Sequence, residues 1–263
     1  RRMKRLARTL RRRTGVAMAE VDRLTGEVAG IARQSLGQVQ LVARNARRTL
    51  VRRPEDGRLG RLVGELEETI TATERLLAQT DQRLAGNRVI PDRLVSLADP
   101  DARPIRKGKP RHPTQFGYTL LLAEDERGFV ADHQLQRGNP PDAPQLVPAV
   151  RRVIAVTGRP PATVVGDRGF GTAANDQAVA ALGVRRVGLQ RNGTPGKARL
   201  AVERTRAFRR LRNWRVGIEA RISHLKRSFG LRRTRLRRLG GARTWVGLGT
   251  FAYNLQRMTV VSG

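Results

Sequence analysis

Apolar residues recur at every third or fourth position in the first third of the chain. One such stripe covers residues 10–50 and a second covers residues 59–84, with Pro54 and Gly57 interrupting the pattern between them. This spacing places the apolar side chains on one face of a helix, whereas proline and glycine favour a turn. The pattern therefore predicts two long helices that pack together as an antiparallel hairpin.

Beyond residue 90 the pattern changes to short apolar runs separated by turns. Runs at 116–123 and 129–136 predict a β-hairpin, and runs at 162–166 and 184–190 predict two further strands. Helices are predicted at 142–156, 172–182, 197–229 and 241–258. Asp142 is expected to cap the first of these helices. Strands that alternate with helices after one hairpin predict an α/β fold with helices on both faces of the sheet.

The two patterns divide the chain into a helical hairpin at 1–90 and an α/β domain at 91–263. The hairpin is strongly basic in its first helix, and acidic residues are concentrated in its second. It serves either as an arm that lies along DNA or as a spacer or dimer surface, because a run of charge is often only a solvated face. The pattern alone leaves both roles open.

The formal net charge of +31 narrows the class of partner. A charge of this size repels itself unless a polyanion neutralises it, and nucleic acid is the usual polyanion. A basic ribosomal or packaging protein also fits this charge. The absence of cysteine excludes disulfides and cysteine-based zinc sites. No apolar run is long enough to cross a membrane, so we expect a cytoplasmic, nucleoid-associated protein.

Two acids stand out against this basic background. Asp167 directly follows a predicted strand, where ligands of open α/β sheets bind, although a turn cap is the simpler alternative. Glu219 lies on one helical face with Arg215 and Lys226, in a segment rich in arginine. An acid on a phosphate-binding surface is unfavourable unless a divalent ion converts the repulsion into attraction, although a surface ion pair is the ordinary explanation. A strand-end Asp and a helix Glu are the hard oxygen ligands that two-metal phosphoryl transfer uses.

These residues resemble the motifs of bacterial insertion-sequence transposases of the DDE class. The run 164–170 resembles the motif of their second aspartate, and 211–232 resembles their R-x3-E-x6-K signature. The usual tyrosine of that signature falls on Arg212. The resemblance covers essentially the whole chain and implies a ribonuclease-H-like mixed sheet flanked by helices. It also implies a metal-dependent enzyme that cleaves DNA and transfers its strands during transposition and recombination of a mobile element.

The resemblance implies roles for individual residues. Asp167 and Glu219 would be catalytic and would bind two Mg²⁺ or Mn²⁺ ions. The DNA-binding residues, at transposon ends and target, would be Arg215, Lys226, Arg212, His224, Arg106, Lys107 and Lys109. Because transposition joins two DNA ends, a homodimer is expected by analogy.

The family's first catalytic aspartate lies on a strand that precedes the hairpin strands. Only predicted helices precede the hairpin here, and the chain begins at Arg1. We therefore expect a fragment that begins after that strand, with residues 1–90 as a helical insertion, and that is inactive by itself. Asp99 and Asp101 are weaker candidates for the missing ligand, because their proline-flanked loop is a poor rigid support. A non-catalytic, basic DNA-binding protein, domesticated or architectural, is the alternative.

Overall fold

A computed structural model describes residues 15–87, 89–106, 114–215 and 217–262. The chain divides into two compact units, Arg1–Arg103 and Pro104–Gly263. The first unit is helical, and the second combines helices with short strands. The predicted combination of helices and strands is thus confirmed.

The first unit contains two antiparallel helices, α1 (Gly15–Arg52) and α2 (Gly57–Leu84). Asp56 begins α2, because its carboxylate accepts the N–H of Leu59 at 2.8 Å and satisfies one of the free donors of the first turn. Polar contacts then link the two helices in antiparallel register: Arg47 with Glu67, Gln40 with Glu74, and Arg33 with Asp81.

Apolar burial in the hairpin is narrow. Leu24 is 1% exposed and Val63 is 5% exposed, and several of the other buried positions are alanines. Val42, which the predicted stripe places on the inner face, is instead 59% exposed. The apolar stripes correctly predict that the two helices form. Packing against a single partner helix, however, buries only part of each stripe.

The remaining elements belong to the second unit, except that the first strand begins at Arg103, the last residue of the first unit. In chain order they are β1 (Arg103–Arg106), β2 (Thr114–Glu124), β3 (Val130–Arg137), α3 (Leu146–Thr157), β4 (Thr163–Gly166), α4 (Ala173–Ala181), β5 (Arg186–Leu189), α5 (Lys197–Arg204), α6 (Arg206–Arg215), α7 (Gly217–Ser228) and α8 (Arg238–Ser262). A 3-10 turn, Ala143–Gln145, leads into α3.

The strands described form two separate hydrogen-bonded sheets and not one continuous sheet. One has the order β1-β2-β3, and the other consists of β4 and β5 in parallel. The β2–β3 turn is held by the Asp125 carboxylate, which accepts the N–H groups of Arg127 and Phe129. Strands β1, β4 and β5 are only four residues long, so each offers few backbone groups for a wider ladder.

Each sheet has its own apolar core. The first core packs α3 and α4 against β4 and β5 through the buried residues Leu146, Val150, Val179, Val184 and Leu189. The second core packs α8 against β3 through Leu135, Ala242 and Val246. The first core fixes the ends of β4 and β5, which is where the candidate chemistry lies.

The single helix predicted from residue 197 to 229 is divided into α5, α6 and α7. Thr205 ends α5 in an extended conformation, and its hydroxyl accepts the N–H of Phe208 at 3.2 Å. A threonine side chain that satisfies a free N–H starts a new helix more readily than it continues an old one. The division gives α6 its own direction beside β5.

Candidate active site

Asp167 follows β4 directly and begins a 3-10 turn. Its backbone is extended, and its carbonyl accepts the N–H of Phe170 at 3.0 Å. The Asp167 side chain is 62% exposed, so solvent and a bound ion can reach the carboxylate.

Glycines let this turn pass close to its neighbours. A Cβ at Gly166 would lie 3.0 Å from the Leu189 side chain, and a Cβ at Gly171 would overlap the carbonyl oxygen of Gln190. Beyond the turn, the hydroxyl of Thr172 caps α4 by accepting the N–H of Asn175 at 3.1 Å. Close packing on β5 therefore holds the segment that carries Asp167.

Helix α6 brings Arg215 to this turn. Phe208 is buried, and Leu211 packs so closely on β5 that a Cβ at Gly188 would lie 3.1 Å from the Leu211 Cβ. Arg215 is one turn further along the same helical face. Its guanidinium forms an ion pair with the Asp167 carboxylate.

The same guanidinium also faces Glu219. Arg215 Nη1, which contacts Asp167 Oδ1, lies 3.9 Å from Glu219 Oε1 in the first turn of α7. Glu219 is 70% exposed. Asp167 and Glu219 are 52 positions apart in the sequence. Both carboxylates nevertheless lie within ion-pair distance of the same nitrogen atom, Arg215 Nη1.

Helix α7 is anchored from its opposite face. Arg221 forms an ion pair with Glu124 at the end of β2, and the Glu124 side chain is only 8% exposed. The hydrogen bond with Glu124 raises the pKa of Arg221 above its usual value. Leu225, one turn later, is 1% exposed. The sequence analysis missed the Arg221–Glu124 pair, since nothing in the spacing links a strand end to a helix 97 residues later.

A further carboxylate lies near Asp167. A Cβ at Gly169 would overlap the Asp142 carboxylate. Burial and, second, the charge of Asp167 raise the pKa of Asp142. Asp142 precedes the 3-10 turn as expected, but its side chain makes no capping hydrogen bond. The prediction of a capping role for this side chain was wrong, because the residue already has helical backbone angles and its carboxylate lies at the Asp167 turn instead.

The other predicted DNA-binding residues lie at varied places. Arg212 and Lys226 are exposed on α6 and α7. His224 is partly buried, and its ring packs edge-on against Phe229 and Tyr253 at centroid distances of 5.3 and 6.1 Å. This aromatic packing gives His224 a structural contact that its sequence position did not predict.

The remaining predicted residues are close to β1 in the sequence. Arg106 is the last residue of that strand, and Lys107 and Lys109 lie outside the described residues. Asp99 and Asp101 belong to the turn before β1, in which the Asp99 carbonyl accepts the N–H of Ala102 at 3.1 Å. That turn is part of the first compact unit.

The chemistry of Asp167 and Glu219 fits a hard divalent ion in part. Both offer carboxylate oxygens, and both already face a single cationic nitrogen. Within the described ranges, no group of three or more His, Cys, Asp or Glu side chains is arranged to hold a metal ion. The pair is therefore a partial donor set.

Comparison with protein families gives a direct result. Residues 75–255 match the family model described as the transposase DDE domain. This match covers well over half of the chain, so the chain belongs to the transposase DDE domain family, and the resemblance noted in the motifs is confirmed. Neither the curated proteins nor the solved structures contain a significant match. In the described part of the chain, no helix combines the length and apolar character needed to span a membrane.

Proposed function

We propose that this chain forms the catalytic part of a transposase that cuts DNA at insertion-sequence ends and transfers the strands. The observation that carries the proposal is the meeting of Asp167 and Glu219 at Arg215 Nη1. Neither a turn cap nor a surface ion pair requires a second carboxylate at the same nitrogen. A two-metal phosphoryl-transfer site does require carboxylates that lie close enough together to bind the same ions.

Charge supports DNA as the substrate. The formal net charge is +31, and α6 contains five arginines and no acid. Phosphate contacts by arginine give affinity that is largely independent of sequence. In such surroundings Arg215 has two uses: it neutralises Asp167 and Glu219 in the free protein, and it can contact a DNA phosphate when an ion takes over that neutralisation.

Asp167 and Glu219 would hold Mg²⁺ or Mn²⁺, which when bound supplies charge for activating a water or 3′-hydroxyl and for stabilising the leaving oxygen. Arg215 would orient both carboxylates, and Lys226 and Arg212 would hold the DNA strand. The Arg221–Glu124 pair would keep Glu219 in place by fixing α7.

A two-metal site needs more oxygen ligands than one Asp and one Glu provide. We propose that a third carboxylate completes it and that the chain as given binds DNA without cutting it. The third ligand would come from a strand of the ribonuclease-H-like sheet that the family implies. Asp99 and Asp101 are the alternative sources.

The helical hairpin has a separate proposed role. Its basic first helix would bind DNA as an arm, and a homodimer would bring two transposon ends together. A protein with these properties would associate with the nucleoid. The competing function is a non-catalytic basic protein that binds DNA, for which the Asp167–Arg215–Glu219 cluster would be only a surface ion-pair network.

A plasmid-nicking assay with Mg²⁺ or Mn²⁺ tests the catalytic proposal. We expect binding without nicking by the chain as given, and nicking after a strand carrying an aspartate is supplied at its N-terminus. Glu219→Gln should abolish that nicking while keeping DNA affinity. Glu126→Gln, which removes the same charge at an exposed position, should leave both nicking and DNA affinity unchanged.

Three outcomes separate the alternatives. Unaided nicking that disappears in Asp99→Asn or Asp101→Asn would assign the third ligand to that turn. Nicking that survives Glu219→Gln would contradict the proposed site. Tight binding without nicking under every condition would favour the non-catalytic function.

A further inference from the structure

Helix α6 has two faces with different roles. Phe208, Leu211 and Arg215 face β5 and the Asp167 turn. The other face carries Arg206, Ala207, Arg209, Arg210 and Asn213 along a wide groove that is open to solvent. Within α6 the proposed function gives individual roles to Arg212 and Arg215 only, so Arg206, Arg209 and Arg210 need a separate explanation.

Structural ion pairing does not explain these arginines. In the part of the chain that the structure describes, Arg206, Arg209 and Arg210 are exposed, and no carboxylate lies within ion-pair distance of them. Arg199 on α5 shows the contrast, because it contacts both Asp176 and Glu203 and is only 21% exposed. The groove therefore concentrates three cations that are not neutralised by the fold.

The spacing of the groove residues suits a phosphate backbone. Positions 206, 209, 210 and 213 lie along one side of the helix and span about 10 Å at 1.5 Å per residue. One strand of duplex DNA presents a phosphate about every 3.4 Å along the axis, so this length covers roughly three phosphates. The Asn213 amide adds a neutral donor and acceptor of the kind that contacts phosphate or sugar oxygens.

We propose that the outer face of α6 is a binding site for the DNA phosphate backbone, formed by Arg206, Arg209, Arg210 and Asn213. The inference rests on the proposed function and extends it, because one helix would hold Arg215 at the candidate site on one side and the substrate backbone on the other. An α-helix with its side chains is about 10–12 Å across, so the two faces of α6 are separated by about one helix diameter. Contacts of this kind fix position and not base sequence.

The test compares two double variants with the same charge change. Arg209→Gln with Arg210→Gln alters the groove, and Arg151→Gln with Arg159→Gln alters two exposed arginines at and just beyond α3. Fluorescence anisotropy with a labelled duplex measures affinity at several salt concentrations. All four arginines are exposed, so circular dichroism should show unchanged folding.

We expect the groove variant to lose about tenfold or more in affinity and its log–log salt slope to fall by about 2, one for each lost phosphate contact. The control variant should lose less than about threefold, with an unchanged slope. Arg209→Lys with Arg210→Lys should retain most of the binding, because the charge remains.

Equal losses in the two glutamine variants would overturn the groove assignment alone and leave the proposed function standing. A wild-type chain that binds no DNA would overturn both.

Discussion

The helical hairpin and the α/β unit use arginine in different ways. In the hairpin, Arg47 and Arg33 pair with acids of the facing helix while remaining about half exposed or more. In the α/β unit, Arg152 and Arg221 pair with Asp132 and Glu124, whose side chains are at most 10% exposed. An arginine-rich composition therefore says little about role until the burial of each partner is known.

The apolar cores of the two units also differ in how deeply their side chains are buried. The α/β unit buries leucine and valine completely, at Leu189 and Val179. In the hairpin, small residues such as Ala29 and Ala43 are buried in addition to Leu24. Burial of large apolar side chains is the main stabilising contribution. We expect substitutions in the α/β core and its buried ion pairs to cost much more than equivalent substitutions on the hairpin surface.

The largest expected difference lies between two leucines. Leu189→Ala should cost about 3 kcal/mol and lower Tm by roughly 10 °C, because this residue of β5 is fully buried against α3 and α4. Leu62→Ala, at a position 54% exposed on α2, should cost less than about 0.5 kcal/mol. Thermal unfolding followed by circular dichroism measures both, and equal losses would remove the contrast between the regions.

The ion pairs should show a smaller difference. Glu124→Leu leaves the Arg221 charge without its partner and should cost on the order of 3 kcal/mol in urea unfolding. Adding Arg221→Met should recover most of this loss, since the unpaired charge is then gone. In the hairpin, Arg47→Gln breaks a solvent-exposed pair and should lower the free energy of unfolding far less than Glu124→Leu does. A loss at Arg47 as large as that at Glu124 would contradict the distinction.

The smallest effect concerns acid pH in the first unit. Hydrogen bonds from Arg75 and Arg103 lower the pKa of Asp92. A lowered carboxyl pKa contributes stability above the unfolded pKa, about 3.9, and that contribution is lost as pH falls through the folded value. Asp92 is 64% exposed, so the contribution should stay below about 1 kcal/mol.

The stability of wild type minus that of Asp92→Asn should therefore be constant near pH 6 and should shrink below about pH 4. Measuring the free energy of unfolding between these pH values checks this prediction, with Glu55→Gln as an exposed control. A difference that grows on acidification would show the assigned sign to be wrong.

The sequence predicts elements well where periodicity controls them. The helical period gives both ends of α2 and the C-terminal end of α1 within a few residues, and the apolar runs at 116–123 and 129–136 give β2 and β3. The predicted start of the first helix lies outside the described residues. The break between α5 and α6 was not predicted, because it depends on one hydroxyl, that of Thr205, accepting an N–H group. The separation into two sheets was missed for a similar reason, since strand pairing is a long-range property.

The candidate site was only partly accessible to sequence analysis. Helical spacing places Arg215 and Glu219 together, and the strand end singles out Asp167. The approach of Asp142 to that turn and the anchoring of α7 by Glu124 depend on tertiary packing. The arginines of α6 are evident in the sequence, but which of them lie along the groove depends on the folded structure.

The central claim is that Asp167 and Glu219 act together on one divalent ion. Electron paramagnetic resonance of free Mn²⁺, titrated with protein, tests this without requiring turnover. The account predicts weak Mn²⁺ binding by the wild-type chain, lost in both Asp167→Asn and Glu219→Gln and retained in the exposed control Glu126→Gln. Binding that is unchanged in both site variants, or reduced equally in the control, would contradict the account.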